Sequence, residues 1–567
     1  MQIYLQISNI CLTFTRHLRD IYLKILDNTR DIYETSTGDY PLKSGVSLKK
    51  NVFFLAQFKK KQYLCRKITI TMSDIYSIVT SRQLSYEQKV VALAHAAEDT
   101  LSVLPMPERT RYYFEKGVIC NLNEGNAPYR PRYIMPDYAK AVKQGVKFLE
   151  LDPPKDLDEL LTFLQILYRH VPSITTYPVF LGDLDKLIDP FIDGLSDEEV
   201  KRKLRNFLIY LDRTITDSFC HANLGPEATR AGRLILEVDR ELEQAVPNLT
   251  LKYDPSITPD DFAEQAIYTS LCVANPAICN DVLNARTYDS YGISSCYNIL
   301  PISGGSYTLT RLVLPRLAQL ANNKEDFLTR LLPEAMLCMA DYMSSRIRFI
   351  VEESGFFESH FLAKEGLVER DRFVAMFGLV GLAEAANAFA PEGKKYGTDA
   401  EADDVAEQIM NTITAFVNLY ECPYCEIANH RLLLHAQVGI DTDFGITSGI
   451  RIPVGDEPAS IYDHLRHSSR FHRYIPTGCS DILPFDITGK QNPAAVLDIV
   501  KGAFSLGQKY IAFYASDSDL VRITGYLVKR SEIEKWNKGQ TVLQNTTQLG
   551  APTYASAHLA NRKVRGV

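Results

Sequence analysis

The sequence predicts one large α/β domain, and three observations carry that reading. Capped amphipathic helices alternate along the chain with short runs rich in β-branched and aromatic residues. No linker, low-complexity tract or internal repeat interrupts the chain after residue 71. The 567 residues far exceed what one minimal core requires, and 46% hydrophobic with 23% charged residues is an ordinary soluble composition.

Residues 1–71 stand apart. They hold 12 Lys and Arg against 5 Asp and Glu, so this segment carries +7 while the remainder carries −14. The stretch NVFFLAQFKKKQYLCRK lacks helical or strand periodicity, and its acidic residues and missing apolar core suit neither a transit peptide nor a secretory signal. It is read as an N-terminal extension outside the fold, with Met72 as the start and 72–567 as a single domain.

After Met72 the elements follow in order. LSYEQKVVALAHAA offers Ser85 and Gln88 as a capping box behind a staple residue, Leu84. YPVFLG at 177–182 has strand character. GLSDEEVKRKLRNFLIYL caps a helix with Ser196 and Glu199 and aims Val200, Leu204, Phe207, Leu208 and Leu211 at a core. ADDVAEQIMNTITAF repeats the pattern with Val405, Ile409, Ile413 and Phe416, and IRIPVG at 450–455 is a further strand candidate. The chain then gives a helix from Pro493, Gly507 as its stop, the strand YIAFYA at 510–515, and LVRITGYLV.

The formal charge of −7 and the absence of a dense basic face argue against nucleic-acid binding. The most apolar window, 374–390, is short, broken by glycine and charged at Glu384, so no membrane span is expected. Eleven scattered cysteines suit reduced thiols in a cytoplasmic protein better than a disulfide framework.

Gly525 sits inside LVRITGYLV, an otherwise apolar, extended run where glycine costs backbone entropy and packing. A bulge would explain it. So would chemistry: a glycine that loses a hydrogen from Cα leaves a radical that can flatten and delocalise into both flanking peptide groups. Such a radical needs a partner to act on substrate, and a thiol S–H is weak enough to exchange hydrogen with it reversibly. Cys296, in YGISSCYNILPISGG, lies among glycines and serines that allow a tight loop to project it inward. Cys272 and Cys338 fall in helical apolar patterns and read as core thiols.

Arg522, Gly525 and Tyr526 form an R-x-x-G-Y box near the C-terminus that resembles the glycyl-radical box. The match extends over 72–567, through stretches such as GVICNLNEGNAPYRPRYIMPDYA, YGISSCYNILPISGG, FVAMFGLVGLAEAAN and DLVRITGYLV, and on it the chain resembles the YjjI family of glycyl radical enzymes. That resemblance implies a ten-stranded α/β barrel of two five-stranded halves, surrounded by helices. Inside it two finger loops would meet, one carrying Cys296 and the other, in a C-terminal glycyl radical segment (491–567), carrying Gly525. It implies a radical-SAM iron-sulfur activating enzyme as partner, a small-molecule substrate handled under anaerobic conditions, and a homodimer. The cofactor would be the glycyl radical itself, with no bound organic cofactor or metal, and Arg522 and Tyr526 would support the radical loop.

Comparison within the superfamily narrows the chemistry by exclusion. Pyruvate formate-lyase pairs two adjacent cysteines, whereas Cys296 has Ser295 and Tyr297 as neighbours; diol dehydratases place a glutamate two positions on, where this chain has Asn298. Anaerobic ribonucleotide reductase-like activity is the alternative, although its C-terminal zinc cysteines have no counterpart here, since no cysteine follows Cys479. A non-catalytic scaffold is the other alternative. Candidate acid, base or pocket groups are Glu384, His435, Asp443, Glu365 and Glu457, with Glu384 and His435 preferred because apolar sequence surrounds them. Cys422 and Cys425 are half of a tetrahedral metal site and read as two free thiols. His464, His467 and His472, interleaved with Arg466, Arg470 and Arg473, read as an exposed or anion-facing segment.

Overall fold

Ser85 starts the first long helix as its pattern implies. In the computed structural model, which describes residues 72–437 and 443–567, its hydroxyl accepts from the Gln88 amide at 3.3 Å, and the Gln88 side chain accepts from the Ser85 amide at 2.8 Å. The helix Asp197–Thr214 is capped by Ser196 and buries Val200, Leu204, Phe207, Leu208 and Leu211. Ala400–Leu419 buries Val405, Ile409 and Ile413, with Phe416 partly covered. The assignment of residues 1–71 lies outside the described residues.

These helices pack around two main sheets. One has the order Ile119–Cys120, Gly304–Val313, Phe373–Val380 and Leu433–Ala436, with Tyr133–Met135 also paired to Gly304–Val313. The other has the order Asp481–Phe485, Tyr510–Ala515, Ala277–Asn280, Asn248–Tyr253, His221–Leu224 and Phe180–Asp183. Its last four strands run parallel to one another, as expected of strands separated by helices, and both sheets are buried except at the strand ends Cys120, Asp183 and Leu433.

The expected ring of ten strands is met as a five-stranded and a six-stranded sheet that do not close into one hydrogen-bonded barrel among the described residues. At one seam, among the described residues, two backbone bonds cross: Thr477 N–H to Leu434 O at 3.4 Å and Ala436 N–H to Gly478 O at 3.2 Å. The pleat breaks there because Gly478 takes φ +135°, and a Cβ on it would run into the carbonyl of Tyr297. At the other edge Ile174 N–H reaches Arg132 O at 3.1 Å.

Two strand readings are corrected. Residues 450–455 form no strand: Pro453 has no N–H, and the Arg451 and Asp456 amides turn back onto Ser448 and Pro453. The 177–182 run becomes a strand only from Phe180, past Pro178. No helix among the described residues is long and apolar enough to cross a membrane.

Candidate active site

Two β-hairpins meet tip to tip between the sheets. The first pairs Tyr291–Ser294 with Asn298–Pro301, leaving Ser295, Cys296 and Tyr297 at its tip. Ser295 is held at φ +56°, a left-handed conformation that side chains other than glycine avoid, and this sharp corner presents the cysteine. The second hairpin pairs Leu520–Arg522 with Leu527–Lys529, and an Ile523 N–H to Tyr526 O bond of 3.0 Å leaves Thr524 and Gly525 at the tip.

Gly525 and Cys296 are in direct contact. A Cβ built on Gly525 would lie 2.5 Å from the Cys296 Cβ, 2.8 Å from its Cα and 2.9 Å from its carbonyl carbon. Gly525 is not in the left-handed region, so close approach and not backbone conformation is what demands glycine here.

The peptide groups on both sides of Gly525 are gripped by charged donors. Its own carbonyl accepts from Arg522 Nη1 at 3.1 Å and Asn248 Nδ2 at 2.9 Å. The preceding carbonyl, on Thr524, accepts from Arg451 Nη2 at 2.8 Å. Arg522 also donates to Ala274 O at 2.8 Å and Asn248 Oδ1 at 3.2 Å; it is fully buried without a carboxylate hydrogen-bonded to it, an expensive arrangement for a guanidinium. Arg562 extends the pattern, reaching the Arg522 and Ile523 carbonyls. Tyr526 packs its ring on Phe219 at 4.7 Å between centroids.

Burial pushes the Cys296 thiol up to about 12, against opposing pulls from Arg451, Thr524 and Ser295. Cys296 therefore keeps its hydrogen at physiological pH, which hydrogen-atom exchange requires. The neighbouring Tyr297 is fixed by a hydroxyl bond to Ala436 O at 2.8 Å and lies under the Arg451 guanidinium, 5.6 Å from the ring centre.

The remaining candidates fall into three groups. Asn298 begins the strand after the cysteine tip and is buried. His435, on Leu433–Ala436, stacks on Tyr297 with ring centres 5.9 Å apart. Its Nδ1 lies 3.2 Å from Thr477 Oγ1, whose own hydrogen goes to Leu434 O, so Nδ1 carries the proton and Nε2 the lone pair. Burial lowers its pKa to about 3, so His435 is a neutral hydrogen-bond acceptor rather than a strong base.

Glu384 and Glu457 line a cavity of about 170 Å³ with Arg451, His464, Arg562 and Thr524, directly behind the glycine tip. Glu384 Oε1 accepts from the Thr447 amide at 2.9 Å, Oε2 is buried without a hydrogen bond, and burial raises its pKa.

Two candidates are not brought to this centre as free groups. Asp443 is locked in a two-pronged pair with Arg311, at 2.7 and 3.0 Å, both residues being buried. Glu365 caps a surface turn, accepting from the Lys147 and Phe148 amides at 2.9 and 2.8 Å.

The three histidines, read as exposed or anion-facing, are buried, and two of them face carboxylates. His467 bonds Asp403 at 3.0 Å, His464 lies 3.5 Å from Asp481, and His472 accepts from the Lys509 amide at 3.1 Å. The partners, Asp403, Asp481 and the Lys509 amide, all lie outside this run, so the local arginines do not reveal the burial. Among the described residues no group of three or more His, Cys, Asp or Glu could hold a metal ion.

Burial holds His435 near 3 and His472 near 4, well below an ordinary histidine. In the unfolded chain both take a proton as pH falls below about 6.5, which the native state refuses. Stability should therefore be intact above that pH and fall by up to about 1.4 kcal/mol per pH unit per histidine toward pH 4. Thermal melts against pH check this, and His472→Gln should flatten the slope.

The sequence profile of a family described as glycyl radical enzyme, YjjI-like, matches residues 84–565. An uncharacterized protein of Haemophilus influenzae is 44% identical over 506 residues, covering 87% of this chain and 98% of that one. Among solved structures, the anaerobic ribonucleotide reductase from Thermotoga maritima in complex with dATP and CTP superposes with a TM-score of 0.66 at 13% identity, covering 88% of this chain and all of that one. Hydroxyproline dehydratase from Clostridioides difficile gives a TM-score of 0.61 at 12% identity, over 89% of this chain and 90% of that one. Both likenesses are of fold.

Proposed function

This chain belongs to the YjjI-like family of glycyl radical enzymes, and from that premise we propose that Gly525 stores the radical and Cys296 delivers it to a small-molecule substrate. The hydrogen that occupies the Cβ direction on Gly525 points at Cys296, and this contact carries the reading. In the exchange the Gly525 Cα radical takes the hydrogen of the Cys296 S–H, leaving glycine closed-shell and the sulfur a thiyl radical. The thiyl radical then removes a hydrogen atom from a substrate carbon, and the reverse transfers restore the glycyl radical.

This chain's own residues supply storage and shielding. Arg522 and Asn248 on one carbonyl, and Arg451 on the other, polarise both amides into which the unpaired electron spreads. The flanking strands and the Tyr297 ring bury the pair and slow the access of bulk water and oxygen to it. The five- and six-stranded sheets serve as the two halves of the enclosing barrel. A radical-SAM iron-sulfur partner removes the first hydrogen from Gly525, and the enzyme works as a homodimer under anaerobic conditions. His435 Nε2 is positioned as an acceptor for a substrate hydroxyl or N–H.

The test is oxygen cleavage. The activated protein, exposed to air, should lose the 42 residues after Gly525, because peroxyl chemistry breaks the backbone where the electron resides. Cleavage elsewhere, or none after full activation, would refute the assignment.

A further inference from the structure

The C-x-x-C turn at 422–425 is a site the radical chemistry does not use. Cys422 and Cys425 Sγ atoms lie 3.4 Å apart, hydrogen-bonded to each other, with both residues buried. The turn between them is closed by Cys425 N–H to Cys422 O at 3.0 Å, an i to i+3 bond that brings the two Cα atoms within about 7 Å. Disulfides span Cα separations of about 4.4–6.8 Å, so the backbone is already shaped for one.

A metal is a poor match for this turn. Nδ1 of His430, the nearest histidine in sequence, is 2.9 Å from the Pro423 carbonyl, and the described residues supply no third ligand. The two thiols are also unequal. The hydrogen bond from Cys425 lowers the Cys422 pKa and raises that of Cys425, so Cys422 is the sulfur that gives up its proton first.

We propose that Cys422 and Cys425 are a redox-active dithiol, which a disulfide of the thiol pool converts to an internal disulfide and back. The Cys422 sulfur attacks one sulfur of the incoming disulfide and expels a thiolate. Cys425 then attacks the Cys422 sulfur of the mixed disulfide and expels the second thiol. Two electrons and two protons pass from the pair to the incoming disulfide, which leaves as two thiols.

The turn lies at the surface, with Glu421, Pro423 and Glu426 exposed around the buried sulfurs. It also feeds the strand Leu433–Ala436, through the bridge between Glu421 and Arg431, and that strand carries His435 beside Tyr297. Closing the disulfide draws the sulfurs from 3.4 Å to about 2.0 Å, which tightens the base of that strand.

The full chain, not activated, is equilibrated in glutathione buffers of stepped oxidised-to-reduced ratio, acid-quenched, alkylated and peptide-mapped. The expected result is a 422–425 peptide two hydrogens lighter and unlabelled at the oxidised end, labelled on both sulfurs at the reduced end. Cys425→Ser should stop at a glutathione adduct on Cys422, and Cys422→Ser should leave Cys425 without an adduct. Native protein labelled on both sulfurs at every ratio would overturn the proposal. So would a disulfide that forms only above the denaturation midpoint, or one equivalent of bound zinc lost in Cys422→Ser. None of these readings depends on the radical, so the two assignments stand or fall separately.

Discussion

Gly525→Ala should abolish the organic radical and all turnover while leaving a folded protein of reduced stability. The new methyl would sit 2.5 Å from the Cys296 Cβ and within 3 Å of two Cys296 backbone atoms, closer than any real contact. The hairpins must part to admit it, and overpacking of this kind costs about 1–3 kcal/mol. A radical on alanine would in addition force its methyl into the amide plane, against the same cysteine. Electron paramagnetic resonance after anaerobic incubation with the activase reads the first effect, and thermal melting the second. A doublet surviving in this variant would place the radical elsewhere.

Cys296→Ser tests the other half. Serine preserves shape and burial, but its O–H bond is far stronger than S–H, so hydrogen transfer back to Gly525 becomes steeply uphill. With each 1.36 kcal/mol worth a factor of ten, a gap of even 6 kcal/mol would slow turnover by more than about 10,000-fold. Radical storage should be unaffected, because the Arg522, Asn248 and Arg451 contacts do not involve the sulfur. Cys338→Ser, on the helix Leu332–Arg348, should stay competent. Equal loss in both variants would mean a different thiol acts.

The centre was legible at its tips and illegible at its supports. Gly525 and Cys296 stand out because glycine is unexpected in a buried run and because serine and glycine bracket the cysteine; each then occupies the end of a hairpin. Asn248 and Arg451 carry no such signal. Asn248 reaches Gly525 from a strand 277 positions away, and Arg451 sits in a run that reads as a strand until Pro453 is weighed. The burial of the histidines at 464, 467 and 472 was hidden for the same reason: Asp403 lies 64 positions before its partner His467. Helices were read closely because their caps and periodicity are local, whereas the seam at Gly478 depends on the cysteine hairpin packed against it.

The central claim is that one hydrogen atom shuttles between Gly525 and Cys296. A glycyl radical keeps a single α-hydrogen, which splits its resonance into a doublet, while the Cys296 thiol hydrogen exchanges with water slowly, as the buried hairpin tips open. Activated protein transferred to D2O should therefore lose the splitting as deuterium enters through the sulfur, and the Cys296→Ser protein should keep it. A doublet that persists unchanged in D2O in the unmodified protein would contradict the account.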